Sequence, residues 1–330
     1  MAGLVGLVAM LTLIVREGAS SIAQLLSEAG WILLWLVPLH AIPLLLDVVG
    51  WRTLLAPIAP ARKAGLRVLF GIAAVREAVN RLLPVANVGG EIVGTRLLVL
   101  AGIPLAAGAA SIVVEVLLTL IAQCVFVALG VLCLLRVTGT VHLATNLLIG
   151  LLIGLPIVVS LFVLLRYGSV FERLGRMVEG LLGARAHWAR QREQSAQLDA
   201  EIRRLYQARG RLMAALAWQV AGLCAGTFEI WLALRWLGSP VSFANALALE
   251  SLTQAIRHFV FLVPAGLGVQ EAGLIAFGHL LGVSSEAALA LSLVKRMREI
   301  LFGAPALLAW QWLEGRRLIW QPRRMTGVRR

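Results

Sequence analysis

Charge is scarce in this sequence, and two charged residue types are almost missing. Only 14% of its 330 residues are charged. Asp occurs twice, at Asp47 and Asp199, and Lys twice, at Lys63 and Lys295. So little Asp disfavours metal-dependent prenyl or phosphoryl transfer, where carboxylates hold Mg²⁺. No Gly-rich phosphate loop, HExxH, CxxC, GxSxG or DDxxD-type motif occurs. Cys124, Cys133 and Cys224 all lie in apolar runs, so they supply neither a disulfide framework nor metal spacing. The five histidines are scattered without ligand spacing. No metal, no cofactor and no enzymatic signature is expected. A basic leader is also missing before the first apolar stretch and no cleavage site follows it, which reads as a retained span.

What the sequence has in abundance is apolar surface. Hydrophobic residues make up 60% of the chain, against roughly half in soluble domains, and the mean hydropathy is +0.88. Such a chain cannot cover a globular surface with polar groups. Several of its apolar runs are long enough to cross a bilayer core of about 30 Å at about 1.5 Å per residue. No barrel-like alternation is visible, so helices must satisfy the backbone in lipid. The fold class is an all-α polytopic membrane protein.

The net charge of +13 comes from 30 basic and 17 acidic residues. Nearly all the cations are Arg, and they cluster between the apolar runs, which is the pattern of topology signals and anionic-lipid contacts rather than of nucleic-acid binding. The chain divides into two N-terminal spans within 1–66 and a broken segment at 67–103. Two spans at 108–166 and a basic, amphipathic segment at 167–211 follow. A span at 212–237, a second broken segment at 243–283, a last span at 287–313 and a basic tail at 314–330 complete it. Ten Arg lie between Arg166 and Arg211 and six between Arg316 and Arg330, while the links near 137–142 and 238–242 carry almost none. Placing the basic segments in the cytoplasm makes about six full spans alternate correctly, with both termini inside. A bacterial inner membrane is the expected location. For 167–211, helices on the cytoplasmic interface are expected, with a soluble helical hairpin as the alternative.

The two broken segments are hydrophobic stretches interrupted by Pro and Gly, LLPVANVGGEIVGTRLLVLAGI and FLVPAGLGVQEAGLIAFGHLLGV. A shift of 180 residues registers them without a gap: Pro84 falls on Pro264, Glu91 on Glu271, Leu100 on Leu280, and Gly102-Ile103 on Gly282-Val283. This is an internal repeat. Pro removes a donor and disfavours helix for the residue before it, and Gly permits a tight reversal. Each segment is therefore expected to form a re-entrant helix–loop–helix hairpin, with tips at Pro84, Gly89 and Gly90 and at Pro264, Gly266 and Gly268. Three spans separate the two, so they enter from opposite sides as an inverted repeat.

Polar residues inside apolar segments are functional candidates, because each is costly in lipid. Ser111, Glu115, Thr119 and Gln123 draw a stripe down one span, and Glu250, Gln254 and His258 do so on the second hairpin, beside Ser251 and Arg257. Arg76, Glu77, Asn80 and Arg81 gather on the first hairpin, and Lys295, Arg296, Arg298 and Glu299 in the last span. Glu77 with Arg81 and Arg296 with Glu299 are at pairing distance along a helix. With Arg96, Glu91 and Glu271, the set has a surplus of cations, and the planar fork of Arg suits a phosphate. An amphiphile with an anionic head is the expected ligand. Glu91 and Glu271 follow the tips near the start of each returning helix, where they either cap it or line a shared cavity.

The stretch LLPVANVGGEIVGTRLL, with the later PAGLGVQEAG, resembles the lysylphosphatidylglycerol synthase transmembrane (flippase-like) family, and more narrowly its hopanoid-biosynthesis-associated branch, the HpnL proteins. The resemblance covers essentially the whole chain. It carries over onto Pro84, Asn87, Gly89, Gly90, Glu91 and Arg96, and onto Pro264, Gly266, Gly268 and Glu271. It implies lipid translocation without aminoacylation, since the soluble transferase domain of the best-known relatives is not seen here.

The expected function is thus a lipid transporter that moves or binds a polar lipid between leaflets, a hopanoid or an anionic phospholipid. With no ATPase motif, movement would be facilitated or ion-coupled. Two alternatives are a membrane-embedded enzyme modifying a lipid head group, with Glu91 or Glu271 as base, and a scaffold for lipid-synthesis enzymes. The expected partners are membrane lipids and such enzymes, with no nucleic acid.

Overall fold

The structure, a computed structural model, describes residues 2–58, 65–83, 88–138, 141–173, 176–177, 186–259 and 267–320. Among them helices are the only regular secondary structure. Helices α1 (Ala2–Arg16) and α2 (Ala19–Ala29) lead through a 3-10 stretch, Gly30–Trp35, and a single turn, α3 (Leu36–Leu39), into α4 (Ala41–Leu55). Then come α5 (Leu66–Leu82), α6 (Gly89–Leu100), α7 (Leu105–Thr138), α8 (Val141–Tyr167) and α9 (Ala186–Gln207). The last four are α10 (Arg209–Trp236), α11 (Phe243–Phe259), α12 (Val269–Leu280) and α13 (Ser285–Trp320).

Four of the described helical runs are long and apolar enough to cross a membrane: Ala19–Leu55, Leu105–Val137, Leu148–Tyr167 and Arg209–Trp236. The two other spans read from the sequence differ for separate reasons. α1 has only 15 residues, a rise of about 22 Å. α13 has 36, but Lys295, Arg296, Arg298 and Glu299 interrupt its apolar character. α8 turns Ile149, Leu152 and Ile157 outward, at 48%, 67% and 66% exposure. A continuous apolar face of that kind needs lipid or a partner to cover it.

The 180-residue repeat recurs in the backbone. α6 and α12 each span 12 residues and start and end at matching positions, as do the starts of α7 and α13. Both short helices end with the same Schellman cap. Gly102 (φ 85°) and Gly282 (φ 80°) take the left-handed conformation that glycine adopts without penalty. The Ile103 N–H reaches back to the Leu98 carbonyl at 3.0 Å, and that of Val283 to Gly278 at 2.8 Å. Ile103 and Val283 are then buried.

The halves interlock. α5 packs on α13 and its counterpart α11 on α7, while α4 lies along α10. A Cβ on Gly222 would meet Asp47 Oδ1 at 2.4 Å and the Pro43 carbonyl at 3.2 Å; one on Gly50 would meet Ala215 and Trp218 at 3.1 Å. Rising numbers in α4 thus meet falling numbers in α10, so these matching helices run antiparallel. Gly222 makes the close helix contact, while Gly226 faces open space. One apolar core joins α4, α5, α6 and the start of α7, and a second joins the end of α7 with α10–α13. α9 docks Ile202, Leu205 and Tyr206 into a third core with α7 and α8. Its buried Asp199 accepts the backbone N–H groups of Phe171 (3.4 Å) and Glu172 (2.9 Å).

Candidate functional site

Buried charged side chains gather on the helices of both halves. In the first half, Arg76 of α5 lies between two carboxylates. It ion-pairs with Glu91 of α6 and, at 2.7 Å, with Glu115 of α7. Its guanidinium stacks on the Trp51 ring, 4.8 Å from the centroid, and Trp51 donates its indole N–H to Ser111 Oγ at 3.2 Å. Asn80 donates to Glu91 at 3.3 Å and accepts the Gly90 backbone N–H at 2.8 Å. The local sequence allows this crowding because α6 has glycine on the face it turns to α5. A Cβ at Gly90 would lie 2.4 Å from the Arg76 carbonyl, and one at Gly94 would lie 2.5 Å from Arg76 Cδ.

In the second half, Glu271 of α12 is almost wholly buried, at 1% exposure. It accepts from Ser292 Oγ at 2.6 Å and meets Arg296 at 3.4 Å, both on α13. Its Oε2 has no hydrogen-bond partner among the described residues. Arg257 of α11 donates to Gln270 at 3.1 Å and lies 3.6 Å from Glu299. Lys295 bonds both oxygens of Glu250, at 2.9 and 2.7 Å, and Gln254 donates to the same carboxylate at 2.8 Å. Arg296 also meets Glu299 at 3.5 Å.

Between the halves stands His40, the single residue that separates α3 from α4. Its Nε2 faces both oxygens of Glu77, at 3.0 and 3.1 Å, and its Nδ1 faces Glu229 of α10 at 3.1 Å. Arg298 of α13 closes on Glu229 from the other side. The structure therefore gathers ten of the expected residues into a network of four neighbouring ionic groups: Arg76 with Glu91 and Glu115; the half-buried Arg81 with Arg257 and, through Glu299 and Arg296, with Glu271; Lys295 and Gln254 with Glu250; and Arg298 with His40 through Glu229.

Other expected residues lie elsewhere. Arg96 is exposed and forms a two-point ion pair with Glu314, at 2.8 and 3.0 Å, on the outer side. The side chain of His258, and Pro84, Asn87, Pro264 and Gly266, lie outside the described residues; Gly89, Gly90 and Gly268 stand at the starts of the returning helices. Glu77 and Arg81 do not close on each other: Glu77 turns to His40, and Arg81 lies 3.9 Å from Glu299. On α7, Ser111, Glu115 and Gln123 are buried, and Thr119 donates to Gln219 of α10 at 2.9 Å.

Three ionisable members of the network were not singled out from the sequence: His40, Glu229, and Asp47, which points at Gly222 of α10. Each is a lone ionisable group in an apolar run, the signal that marks functional candidates in membrane helices. They reverse the expected charge balance. Arg76, Arg81, Arg257, Lys295, Arg296 and Arg298 face Asp47, Glu77, Glu91, Glu115, Glu229, Glu250, Glu271 and Glu299. With Arg96 outside, the carboxylates are in excess. Buried ions persist only where partners offset their desolvation, and here nearly every charge has one within 4 Å. Among the described residues no cluster of His, Cys, Asp or Glu could hold a metal ion.

Apolar helices packed around a dense ionic interior define a multi-pass helical membrane protein. Residues 1–306 match the family described as the lysylphosphatidylglycerol synthase TM region. The chain belongs to this family, which makes it a lipid-related membrane protein. No curated protein and no solved structure matches it.

Proposed function

We propose that the protein moves a polar lipid between the leaflets of the bacterial cytoplasmic membrane. The observation that carries this reading is the ionic network itself. It sits where α5–α6–α7 and α11–α12–α13 meet, and both repeated carboxylates, Glu91 and Glu271, belong to it. A head group carrying charge can replace protein partners there one at a time, whereas bare hydrocarbon offers it none. The α5–α6 and α11–α12 segments act as re-entrant hairpins entering from opposite sides, and the antiparallel course of α4 and α10 supports that inversion. With α1 and α13 as further crossings, the Arg-rich segments and both termini lie in the cytoplasm. The cargo is a hopanoid-type lipid or an anionic phospholipid, and lipid-synthesis enzymes are the expected partners.

Mass spectrometry of lipid retained on the purified protein, followed by leaflet exchange of that lipid in reconstituted vesicles, tests the reading. Retention of an unchanged lipid that then crosses faster than in protein-free vesicles is expected. A mass shift of the lipid after incubation would instead establish a head-group-modifying enzyme. Retention without exchange, together with capture of lipid-synthesis enzymes, would establish a scaffold.

A further inference from the structure

His40 is placed as no other histidine among the described side chains is. A neutral imidazole has one N–H and one lone pair. With carboxylates 3.0 Å from one ring nitrogen and 3.1 Å from the other, a neutral ring would set its lone pair against an anionic oxygen. The arrangement closes only when the triad holds one proton more than a neutral ring between two carboxylates. Arg298 fixes where that proton sits. By donating to Glu229 it holds this carboxylate ionised, and together with Arg81 it places cations beside Glu77 as well, so both carboxylates stay anionic and the proton is left on the ring. The charged neighbours are Glu77 and Arg81 on α5, Glu229 on α10, Arg298 on α13 and Asp47 on α4, and the Phe302 ring meets the imidazole edge-on at 5.0 Å.

The location gives the proton mechanical meaning. His40 lies at the joint between α3 and α4, with Pro38 on one side and Pro43, which has no N–H to carry the helix across, on the other. Its two carboxylates belong to different halves of the repeat, Glu77 to the first and Glu229 to the second. As an imidazolium the ring ties both halves together. With one proton lost it can donate to one of them only.

We propose that His40, Glu77 and Glu229 form a proton-binding clamp between the two halves, and that one proton taken up and released there accompanies each lipid moved. The net charge of the triad goes from −1 to −2 on release, with the proton leaving to water on one side and returning from the other. This names the coupling ion of the transport reading and rests on it.

Two measurements on the full-length protein in vesicles test the clamp. Nitrogen NMR of histidine-labelled protein at pH 8, where an ordinary histidine near 6.5 is neutral, should show one doubly protonated ring. That signal should vanish in His40→Gln. It should survive when His142, His187, His258 and His279 are all replaced, a variant that leaves the triad untouched. A neutral His40 ring at pH 8 overturns the proposal. Secondly, a pH difference of one unit should drive about a tenfold lipid ratio between leaflets, the equilibrium value for one proton per lipid, in the wild type and not in His40→Gln. Lipid exchange that ignores the pH gradient in the wild type, or responds to it equally in the variant, overturns the coupling while leaving transport intact. No lipid movement at any pH overturns transport itself and the coupling with it, and the ring signal, which needs no transport, tells the two failures apart.

Discussion

Glu115 and Lys295 stand at matching positions of the two repeat halves and carry opposite charges. Each is buried, and each pairs within its own half: Glu115 with Arg76, Lys295 with Glu250. The repeat has thus kept a buried ionic group at this position while exchanging its sign, and the partner sits at a different place on the preceding hairpin helix in each half, Arg76 on α5 and Glu250 on α11. On the transport reading proposed above, unlike charges in the two halves would present different faces to a head group.

That relationship predicts strong coupling within each pair. Lys295→Met removes the ion-pair partner of the buried Glu250 and leaves it the Gln254 hydrogen bond, and should destabilise the protein by about 3–5 kcal/mol, as breaking buried pairs does. The double variant Lys295→Met/Glu250→Gln should recover most of that loss. Thermal unfolding in detergent provides the readout; additive losses would mean that the two side chains do not depend on each other.

The approach of α5 to α6 rests on two missing side chains. Gly90→Ala places a methyl against the Arg76 carbonyl and Asn80, and Gly94→Ala places one against the Arg76 side chain. Each should cost about 1–3 kcal/mol, the range for overpacking. Gly71→Ala, in α5 with open space around it, should be neutral or slightly stabilising through helix propensity. Stabilities of the three variants, compared in one detergent, check this.

Orientation has its own test. In a cysteine-free background, a cysteine at Ser239, in the turn after α10, should react with an impermeant maleimide from outside the cell. One at Gln194, on α9, should react only after lysis. External labelling at Gln194 would invert the assignment of the basic segments to the cytoplasm.

Much of this architecture was legible in the sequence because apolar length and glycine chemistry are local signals. The matched ends at Gly102 and Gly282 follow from the left-handed cap that glycine adopts most readily, and the register of Glu91 with Glu271 follows from the same 180-residue shift. The polar stripe of Ser111, Glu115 and Gln123 was visible as a four-residue spacing, and it is buried. Partner choice was not legible. Glu77 is spaced to pair with Arg81 along its helix, yet His40, 37 residues earlier, takes it. Arg96 resembles an interior cation by its neighbours, yet it is exposed and pairs with Glu314, 218 residues later, at the far end of α13. Such outcomes depend on which helices meet, and the reversed charge balance follows from them.

The central claim, that Glu91 and Glu271 serve lipid movement and not only the helix starts they occupy, is tested most directly by leaflet exchange in vesicles reconstituted with Glu91→Gln, Glu271→Gln or wild-type protein. Gln keeps the shape and much of the hydrogen bonding of Glu while removing its charge, so both variants should fold and insert. Dithionite-accessible fluorescent lipid in the outer leaflet gives the rate. The account predicts that each variant loses most of the exchange seen with wild type at equal protein density. Wild-type exchange rates in both variants would contradict it and leave the two carboxylates as helix caps.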